Sequence, residues 1–228
     1  MNKQIITRLV AASVLTAASV TAVASEPSRG FMVERGNVAE NGVASIDLAS
    51  SGAYSSGAVR LGLPTGELIL NSQKAGDLTT TEGVFKYALP SFEGLSELQH
   101  NSAIYGGLSI VDLGGVSYNN LMLGAAFSAN VESLTFSVSP ELVVDDLADD
   151  TYLNLGLGAY VNLPETSYGR FQPGAELGVS TADDASTTLS LGARWMYNER
   201  LTLDVVMFRF GDDTNVTLPG LLRINARF

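Results

Sequence analysis

The feature that most restricts the fold of this chain is a period-two alternation of apolar and polar residues, repeated along much of the sequence. The clearest stretch has an apolar residue at every second position: Leu153, Leu155, Leu157, Ala159, Val161 and Leu163. Successive side chains of a β-strand point to opposite faces, so the pattern predicts strands. The runs extend over about 10 residues, enough to cross a bilayer at a tilt, whereas most soluble strands have about 5 to 6.

The alternation predicts eight clear strands and four weaker ones. The clear strands are residues 103–112, 120–130, 133–144, 151–163, 170–180, 187–197, 201–210 and 220–228. The weaker candidates are "VASIDLA", "GAVRLGL", "GELILNS" and "GVFKYAL", with Pro64-Thr65-Gly66 as a turn. Bacterial single-chain barrels have an even number of strands, so twelve is favoured, with ten and eight as alternatives. If eight is correct, residues 26–100 must form a plug, a periplasmic segment or a small extra domain.

Strand 201–210 conflicts with a simple alternation. The register that points Asp204 inward leaves Arg209 facing outward. Either a β-bulge near Val206 or an Arg209 side chain that snorkels at the rim would remove the conflict.

Strands of this kind suit either a soluble β-protein with apolar residues inside or a membrane barrel with apolar residues outside. The membrane barrel is favoured because the polar faces are rich in glycine, serine and asparagine and carry isolated charges of both signs. The segments "LADDT", "TADDAST" and "GDDTNVT" predict acidic loops at one end, and "NVES" and "YNER" predict tight turns at the other. Trp195 and Tyr197 adjoin the "YNER" turn, where an interfacial aromatic girdle is expected.

The first 24 residues predict a cleaved signal peptide. Lys3 and Arg8 precede an apolar stretch, and Ala22-Val23-Ala24 matches the small-x-small pattern of a signal-peptidase site. A transmembrane anchor would need about 20 continuous apolar residues, more than this stretch offers. Cleavage leaves residues 25–228 as a single barrel domain, with a weaker strand pattern in 25–100. The sequence has no cysteine, which excludes a lipoprotein anchor and disulfide bonds.

The end of the chain resembles the C-terminal signature of bacterial outer-membrane β-barrel proteins. Apolar residues occupy alternate positions up to a terminal aromatic residue: Leu222, Ile224, Ala226 and Phe228. This resemblance implies an outer-membrane location and recognition of these four residues by the barrel-assembly machinery. Within that class, "LNLGLGAYVNLP" followed by a glycine-rich strand pair resembles small YfaZ-type outer-membrane proteins.

Eight charged residues are predicted to face the lumen: Arg60, Lys86, Glu141, Glu176, Arg194, Asp204, Arg223 and Arg227. Mixed charges can form a closed interior network or line an aqueous path. Side chains nearly fill an eight-stranded barrel, whereas a twelve-stranded barrel leaves more room. Strand count and transport are therefore coupled predictions.

The sequence offers little for chemistry, so no catalytic, cofactor or metal site is predicted and the chain is not expected to be an enzyme. The single histidine, His100, with Ser102 nearby, is placed in a turn and interpreted as a solvated loop residue. Four acidic pairs in the predicted outer loops have no calcium-loop spacing: Asp145-Asp146, Asp149-Asp150, Asp183-Asp184 and Asp212-Asp213. They are interpreted as solvated charge, with divalent bridging to lipopolysaccharide phosphates as the alternative.

A net charge of −11 leaves no basic patch for nucleic acid. The favoured function is an outer-membrane barrel of structural or surface-interaction type, in contact with outer-membrane lipid and lipopolysaccharide. The alternatives are a narrow small-solute channel and a soluble periplasmic β-barrel or sandwich binding protein. The sequence leaves the oligomeric state open.

Overall fold

The structure is a computed structural model that describes residues 28–52, 54–90, 99–146, 148–183, 187–211 and 220–228. The signal peptide predicted for residues 1–24 lies outside the described residues. None of the described residues forms a helix long and apolar enough to cross a membrane.

Period-two alternation produces twelve β-strands, as the favoured strand count predicts. In chain order they are β1 (Ala44–Ser50), β2 (Ser55–Leu63), β3 (Gly66–Ala75), β4 (Leu78–Ala88), β5 (Gln99–Leu113), β6 (Val116–Val131), β7 (Leu134–Asp145), β8 (Asp150–Val161), β9 (Arg170–Ser180), β10 (Thr188–Met196), β11 (Leu201–Phe210) and β12 (Leu221–Arg227). All eight clear strands and all four weaker candidates are present.

The strands form one closed antiparallel barrel in which each strand pairs with its neighbours in sequence. Pairing of β1 with β12 closes the circuit, with Leu48 opposite Ile224. At the end of this seam, Ala44 and Phe228 exchange main-chain hydrogen bonds of 3.3 and 2.8 Å. Closure leaves no free strand edge in the barrel wall.

The barrel turns its apolar faces outward and its polar faces inward. Leu123 is 61% exposed, and other strands expose apolar residues such as Ile104 and Leu153. Inside the barrel, charged residues such as Lys86 and Glu67 are buried. This distribution is the opposite of the one that a soluble barrel requires, and it is typical of a barrel surrounded by lipid.

A β-bulge resolves the conflict in β11. Leu191 of β10 pairs with Phe208, but the adjacent Gly192 pairs with Val206, so Met207 is the extra residue. The bulge predicted near Val206 is therefore present, and it returns Arg209 to the partly buried inner face. Snorkelling of Arg209 is not needed.

The two ends of the barrel are distinguished by the concentration of aspartates at one of them. The acidic end contains the connections that carry Asp77, Asp146, Asp149 and Asp183, and Asp112 near the end of β5. The opposite end, here called the terminal end, contains Ala44 and Phe228.

The predicted segregation of short turns and long loops is wrong, because each end contains both. Two-residue connections at Gly76-Asp77 and Gly114-Gly115 lie at the acidic end, and residues 162–169 form a longer connection at the terminal end. Gly76 and Gly114 have φ of 59° and 60° and supply the left-handed conformation that such short hairpins need. The turns predicted from "NVES" and "YNER" are short, as expected.

Candidate functional site: a lumen occupied by the N-terminal hairpin

Residues 28–36 lie inside the barrel and fold back on themselves in a segment here called the N-terminal hairpin. The N–H of Gly30 donates to the carbonyl of Val33 at 2.7 Å, and the N–H of Arg35 donates to the carbonyl of Ser28 at 3.1 Å. Phe31 and Arg35 are completely buried. The hairpin therefore occupies the lumen and adds no strand to the wall.

Glu176 on β9 holds the tip of the hairpin. Its two carboxylate oxygens accept hydrogen bonds from three consecutive main-chain N–H groups, those of Phe31, Met32 and Val33, at 2.5, 2.5 and 3.0 Å. The hydroxyl of Tyr160 on β8 also donates to this carboxylate. Hydrogen bonds to an ionised acceptor are stronger than those between neutral groups.

Two arginines on the neighbouring strands bind the carbonyl groups of the same turn. Arg194 on β10 donates to the carbonyls of Arg29 and Gly30 at 2.9 and 3.1 Å. Arg223 on β12 donates to the carbonyl of Gly30 at 3.0 Å and to that of Phe31. The guanidinium groups of the barrel thus bind the carbonyl oxygens of the turn, and the Glu176 carboxylate binds the N–H groups of the turn.

Asp204 on β11 lies between the two arginines and balances their charge. Its carboxylate oxygens are 2.6 Å from Nε and 2.8 Å from Nη2 of Arg194, in a bidentate pair. The Oδ2 atom is 3.4 Å from Nη1 of Arg223. All three side chains are almost completely buried.

A second charged cluster binds the other side of the hairpin. Arg60 on β2 contacts Glu34 at 2.9 Å, and it also contacts Asp47 and Glu67 of the wall at 3.2 and 3.3 Å. Lys86 on β4 donates to Glu34 at 3.1 Å and to the carbonyl of Ser28 at 3.0 Å. The hairpin is therefore attached to opposite walls of the barrel.

The positive side chains around Glu34 lower the pKa of its carboxyl group. Burial alone would raise the pKa, but the positive charges of Arg60, Lys86 and Arg29 outweigh burial and hold the pKa well below its ordinary value of 4.5. Glu34 is therefore ionised at neutral pH and contributes a charged contact between hairpin and wall.

An apolar contact adds to these polar ones. Phe31 packs in a buried cluster with Ala49, Tyr160, Val206 and Leu221. Its ring meets that of Tyr160 edge-on, with centroids 5.5 Å apart. Each of these four partners belongs to the barrel wall, so one apolar side chain of the hairpin is buried against several strands.

Arg35 and Gly36 attach the end of the hairpin. The Arg35 guanidinium lies 4.1 Å from the ring centroid of Tyr160 and donates to Gln172 at 2.9 Å. The N–H of Gly36 donates to Ser128 at 3.2 Å. A Cβ on Gly36 would lie 1.9 Å from the main-chain oxygen of Asn101, so only glycine lets the segment approach β5 this closely.

The lumen beyond the hairpin contains a cavity of about 290 Å³ on the side of the acidic end. Met32, Val33 and Glu34 line it from the hairpin, and Glu141 and Asn154 line it from the wall. The Asn154 amide donates to Glu141 at 3.1 Å. On the side of the terminal end, Arg227 lines a second cavity of only about 30 Å³.

The eight residues predicted to face the lumen fall into distinct places. Arg60 and Lys86 belong to the cluster around Glu34, whereas Arg194, Asp204, Arg223 and Glu176 surround the turn of the hairpin. Glu141 lines the larger cavity and Arg227 the smaller one.

Sequence reasoning missed the occupant of this network, namely the hairpin itself, together with Asp47, Glu67 and Tyr160. The available signal was the stretch before β1, where Arg29 adjoins Gly30 and Glu34 and Arg35 precede Gly36, without any alternation. A plug was considered only for an eight-stranded barrel, but it occurs here in a twelve-stranded one.

The remaining predicted positions are at the ends or the surface of the barrel. Trp195 and Tyr197 lie at the terminal end. The Trp195 ring stacks on that of Phe171 with centroids 6.0 Å apart, and it meets the Tyr197 ring edge-on with centroids 5.5 Å apart. Leu222, Ile224 and Phe228 are exposed on the outer face, and Ala226 is partly buried.

His100 lies in β5 and not in a turn, so that prediction is wrong, and its ring stacks with Phe127 at 5.8 Å. Asp145, Asp146, Asp149, Asp150 and Asp183 lie at the acidic end, whereas Asp184, Asp212 and Asp213 are outside the described residues. No group of three or more possible metal ligands occurs in the described part of the chain.

Comparison with solved structures supports the fold. The chain is similar to the KdgM porin, with a TM-score of 0.55 and 14% identity over 82% of this chain and 98% of that one. It is also similar to the KdgM porin in complex with disordered oligogalacturonate, with a TM-score of 0.53 and 13% identity over 81% and 96% of the two chains. No protein-family model and no curated protein sequence matches the chain. At these identities the similarity is one of fold, that of a small outer-membrane β-barrel.

Proposed function

We propose that this chain is an outer-membrane β-barrel protein, not an enzyme, whose lumen is closed by its own N-terminal hairpin in the state described. The observation that carries the proposal is the attachment of the hairpin to opposite walls, by Glu176, Arg194 and Arg223 on one side and by Arg60 and Lys86 on the other. A closed barrel fits the structural or surface-interaction role favoured by the sequence.

The outer-membrane location is supported by the exposed apolar wall and the buried polar interior. We place the acidic end outside the cell and the terminal end in the periplasm. In this orientation the predicted signal peptide leads into a hairpin that enters the lumen from the periplasm. The aromatic residues at the terminal end, such as Trp195, then lie at the inner interface of the membrane.

Three partners belong to this proposal. Lipid covers the exposed apolar residues, and the barrel-assembly machinery recognises Leu222, Ile224, Ala226 and Phe228. Lipopolysaccharide surrounds the acidic end. The resemblance of "LNLGLGAYVNLP" to YfaZ-type proteins stays a prediction within the same class.

A narrow small-solute channel is the second candidate function. The 290 Å³ cavity above the hairpin and the porin-like fold favour it. The solute class of the KdgM complex, an oligogalacturonate, does not suit this lumen. Glu82 and Glu141 project into the lumen on the side of the acidic end, and neither has an ion pair among the described residues. An acidic oligosaccharide would be repelled there.

Electrophoresis and conductance test the proposal together. A closed barrel keeps its hydrogen-bonded circuit in cold SDS, so the membrane-fraction protein should migrate differently before and after boiling. Reconstituted into planar bilayers, the intact protein should give no conductance steps above background. An unshifted band from a protein found in the soluble periplasmic fraction would contradict the barrel. Steady steps from the intact protein would favour the channel.

A further inference from the structure

We propose that the lumen wall at Glu176, Arg194 and Arg223 is a binding site for a peptide turn, and that residues 28–36 are its detachable occupant. When the occupant leaves, the barrel conducts. This inference rests on the outer-membrane barrel proposed above and adds a gating element to its second candidate function.

The wall recognises the main chain of the turn. Glu176 binds the N–H groups of Phe31, Met32 and Val33, and the two arginines bind the carbonyls of residues 29–31. Every one of these contacts involves a peptide group of the hairpin and a charged side chain of the wall. The site therefore selects a tight peptide turn with an apolar residue at the position of Phe31. That side chain fills the buried apolar cluster.

The hairpin can leave without breaking the barrel. The circuit of twelve strands is complete without it, and in the described residues the hairpin forms a bridge only with itself, between Arg29 and Glu34. Its polar attachments to the wall are made by wall side chains, which water can hydrogen-bond when the hairpin leaves, so the main loss is the apolar packing of Phe31. Departure therefore costs no hydrogen bond between strands.

The emptied wall also keeps the ion pairs that its own side chains form with one another. Asp204 remains between Arg194 and Arg223, and Asp47 and Glu67 remain on Arg60. The groups that lose a partner, chiefly Glu176 and Lys86, would then face a water-filled lumen in which an ionised side chain is well solvated. The barrel thus has two satisfied states, one with the hairpin bound and one without it, as a gate requires.

The test uses a variant of the full chain that lacks residues 28–36, reconstituted into planar bilayers beside the intact protein. The deletion variant should still shift on boiling in SDS and should give conductance steps that the intact protein lacks. A synthetic peptide with the sequence of residues 28–43, added from the periplasmic side, should close these steps in a concentration-dependent way.

Further variants identify the binding site. In the deletion background, Glu176→Gln should weaken block by the peptide about tenfold or more, because the ionised acceptor of three N–H groups becomes neutral. A peptide carrying Phe31→Ala should also block less well.

Gly36→Val in the full chain gives a second route to opening, should the deletion variant fail to assemble. A side chain at this position collides with the main chain of Asn101 and unseats the hairpin, so steps should appear. Gly52→Val is the matched control, because a Cβ there meets nothing within 4 Å, and it should stay closed.

The outcomes separate this inference from the proposed function. Loss of the heat shift in the intact protein would overturn the barrel itself. Heat-shifting deletion and Gly36→Val variants that give no steps would overturn the plug while leaving the barrel intact. Steps that the peptide cannot block from either side would overturn the turn-binding site.

Discussion

Arg194 on β10 and Asp204 on β11 lie directly opposite each other in the strand pair and form a bidentate ion pair of 2.6 and 2.8 Å inside the barrel. The same aspartate contacts Arg223 on β12, so one carboxylate balances two guanidinium groups on three adjacent strands. This pairing sets the positions from which both arginines reach the carbonyls of the hairpin.

Replacing Asp204 by asparagine should destabilise the folded barrel. The change leaves two buried arginines without their shared counter-charge, and loss of one partner of a buried pair costs about 3–5 kcal/mol. The free energy of unfolding can be measured from urea titrations of the heat-shifted band in SDS. Asp183→Asn, at an exposed position of the acidic end, is the control. This substitution should change the free energy of unfolding by about 0.5 kcal/mol or less. Equal effects of the two substitutions would contradict the role given to Asp204.

Acid should loosen the N-terminal hairpin through Glu34. Because its pKa is lowered in the folded protein, the stabilisation from its contacts with Arg60 and Lys86 is complete above the ordinary carboxyl value of 4.5 and is lost as pH falls below it. The intact protein, closed at neutral pH, should therefore begin to show conductance steps as pH falls below about 4.5, and the steps should become more frequent as pH falls further.

Glu34→Gln isolates this effect from the other carboxylates of the network, such as Asp47 and Glu67. The variant should open more often at neutral pH and should show a weaker dependence on acid than the intact protein. The same acid dependence in both proteins would assign the effect to another group.

A disulfide can test the position of the segment that follows the hairpin. The hydroxyl of Ser128 on β6 donates to Asn37 at 2.8 Å across 91 residues of sequence, and the natural chain has no cysteine. Asn37→Cys combined with Ser128→Cys should therefore oxidise to an intramolecular disulfide, seen as faster migration of the boiled protein without reductant. Asn37→Cys combined with Ser190→Cys on β10 is the control and should stay reduced. Disulfide formation in the control pair alone would contradict the described path.

The wall of this barrel could be predicted from the sequence because its determinants are local. Alternation in residues 151–163 already sorts lipid-facing from lumen-facing side chains, and the conflict between Asp204 and Arg209 indicates the bulge at Met207. Loop lengths were harder to predict. β5 and β6 extend beyond the residues in which apolar and polar side chains alternate, so only Gly114 and Gly115 separate the two strands.

The hairpin could not be predicted in the same way. Its main-chain N–H groups donate to Glu176, more than 140 residues away in sequence, and such contacts leave no periodic signal. The charges of Arg194, Asp204 and Arg223 could be assigned to the lumen, but the turn that both arginines bind is visible only when the strands are assembled.

Assembly should depend on the last residue. Phe228 exchanges main-chain hydrogen bonds with Ala44 at the seam, and its exposed ring completes the apolar signature of β12. Phe228→Ala should slow assembly and expose the protein to periplasmic proteolysis, measured as the heat-shifted fraction in pulse-chase samples. Phe210→Ala removes an exposed aromatic ring of similar accessibility from β11, and it should leave the assembly rate unchanged. Equal rates for Phe228→Ala and the unmodified protein would count against a terminal assembly signal.

An opened lumen should prefer cations. Glu82 accepts a hydrogen bond from Asn71 and Glu141 one from Asn154, but neither carboxylate has a cationic partner among the described residues, and the aspartates of the acidic end add to the negative field. A unit charge a few ångströms away contributes about 1 kcal/mol in water, or roughly a fivefold preference.

The variant lacking residues 28–36 should therefore pass K⁺ several times better than Cl⁻, as measured by reversal potentials in a salt gradient. Adding Glu141→Gln should reduce this ratio severalfold, and Glu82→Gln should do the same, because each removes one uncompensated charge. Lys74→Gln, on the outer face of β3, is the control and should leave the ratio almost unchanged. A preference for Cl⁻ would mean that the arginines exposed by departure of the hairpin, and not these two glutamates, set the selectivity of the lumen.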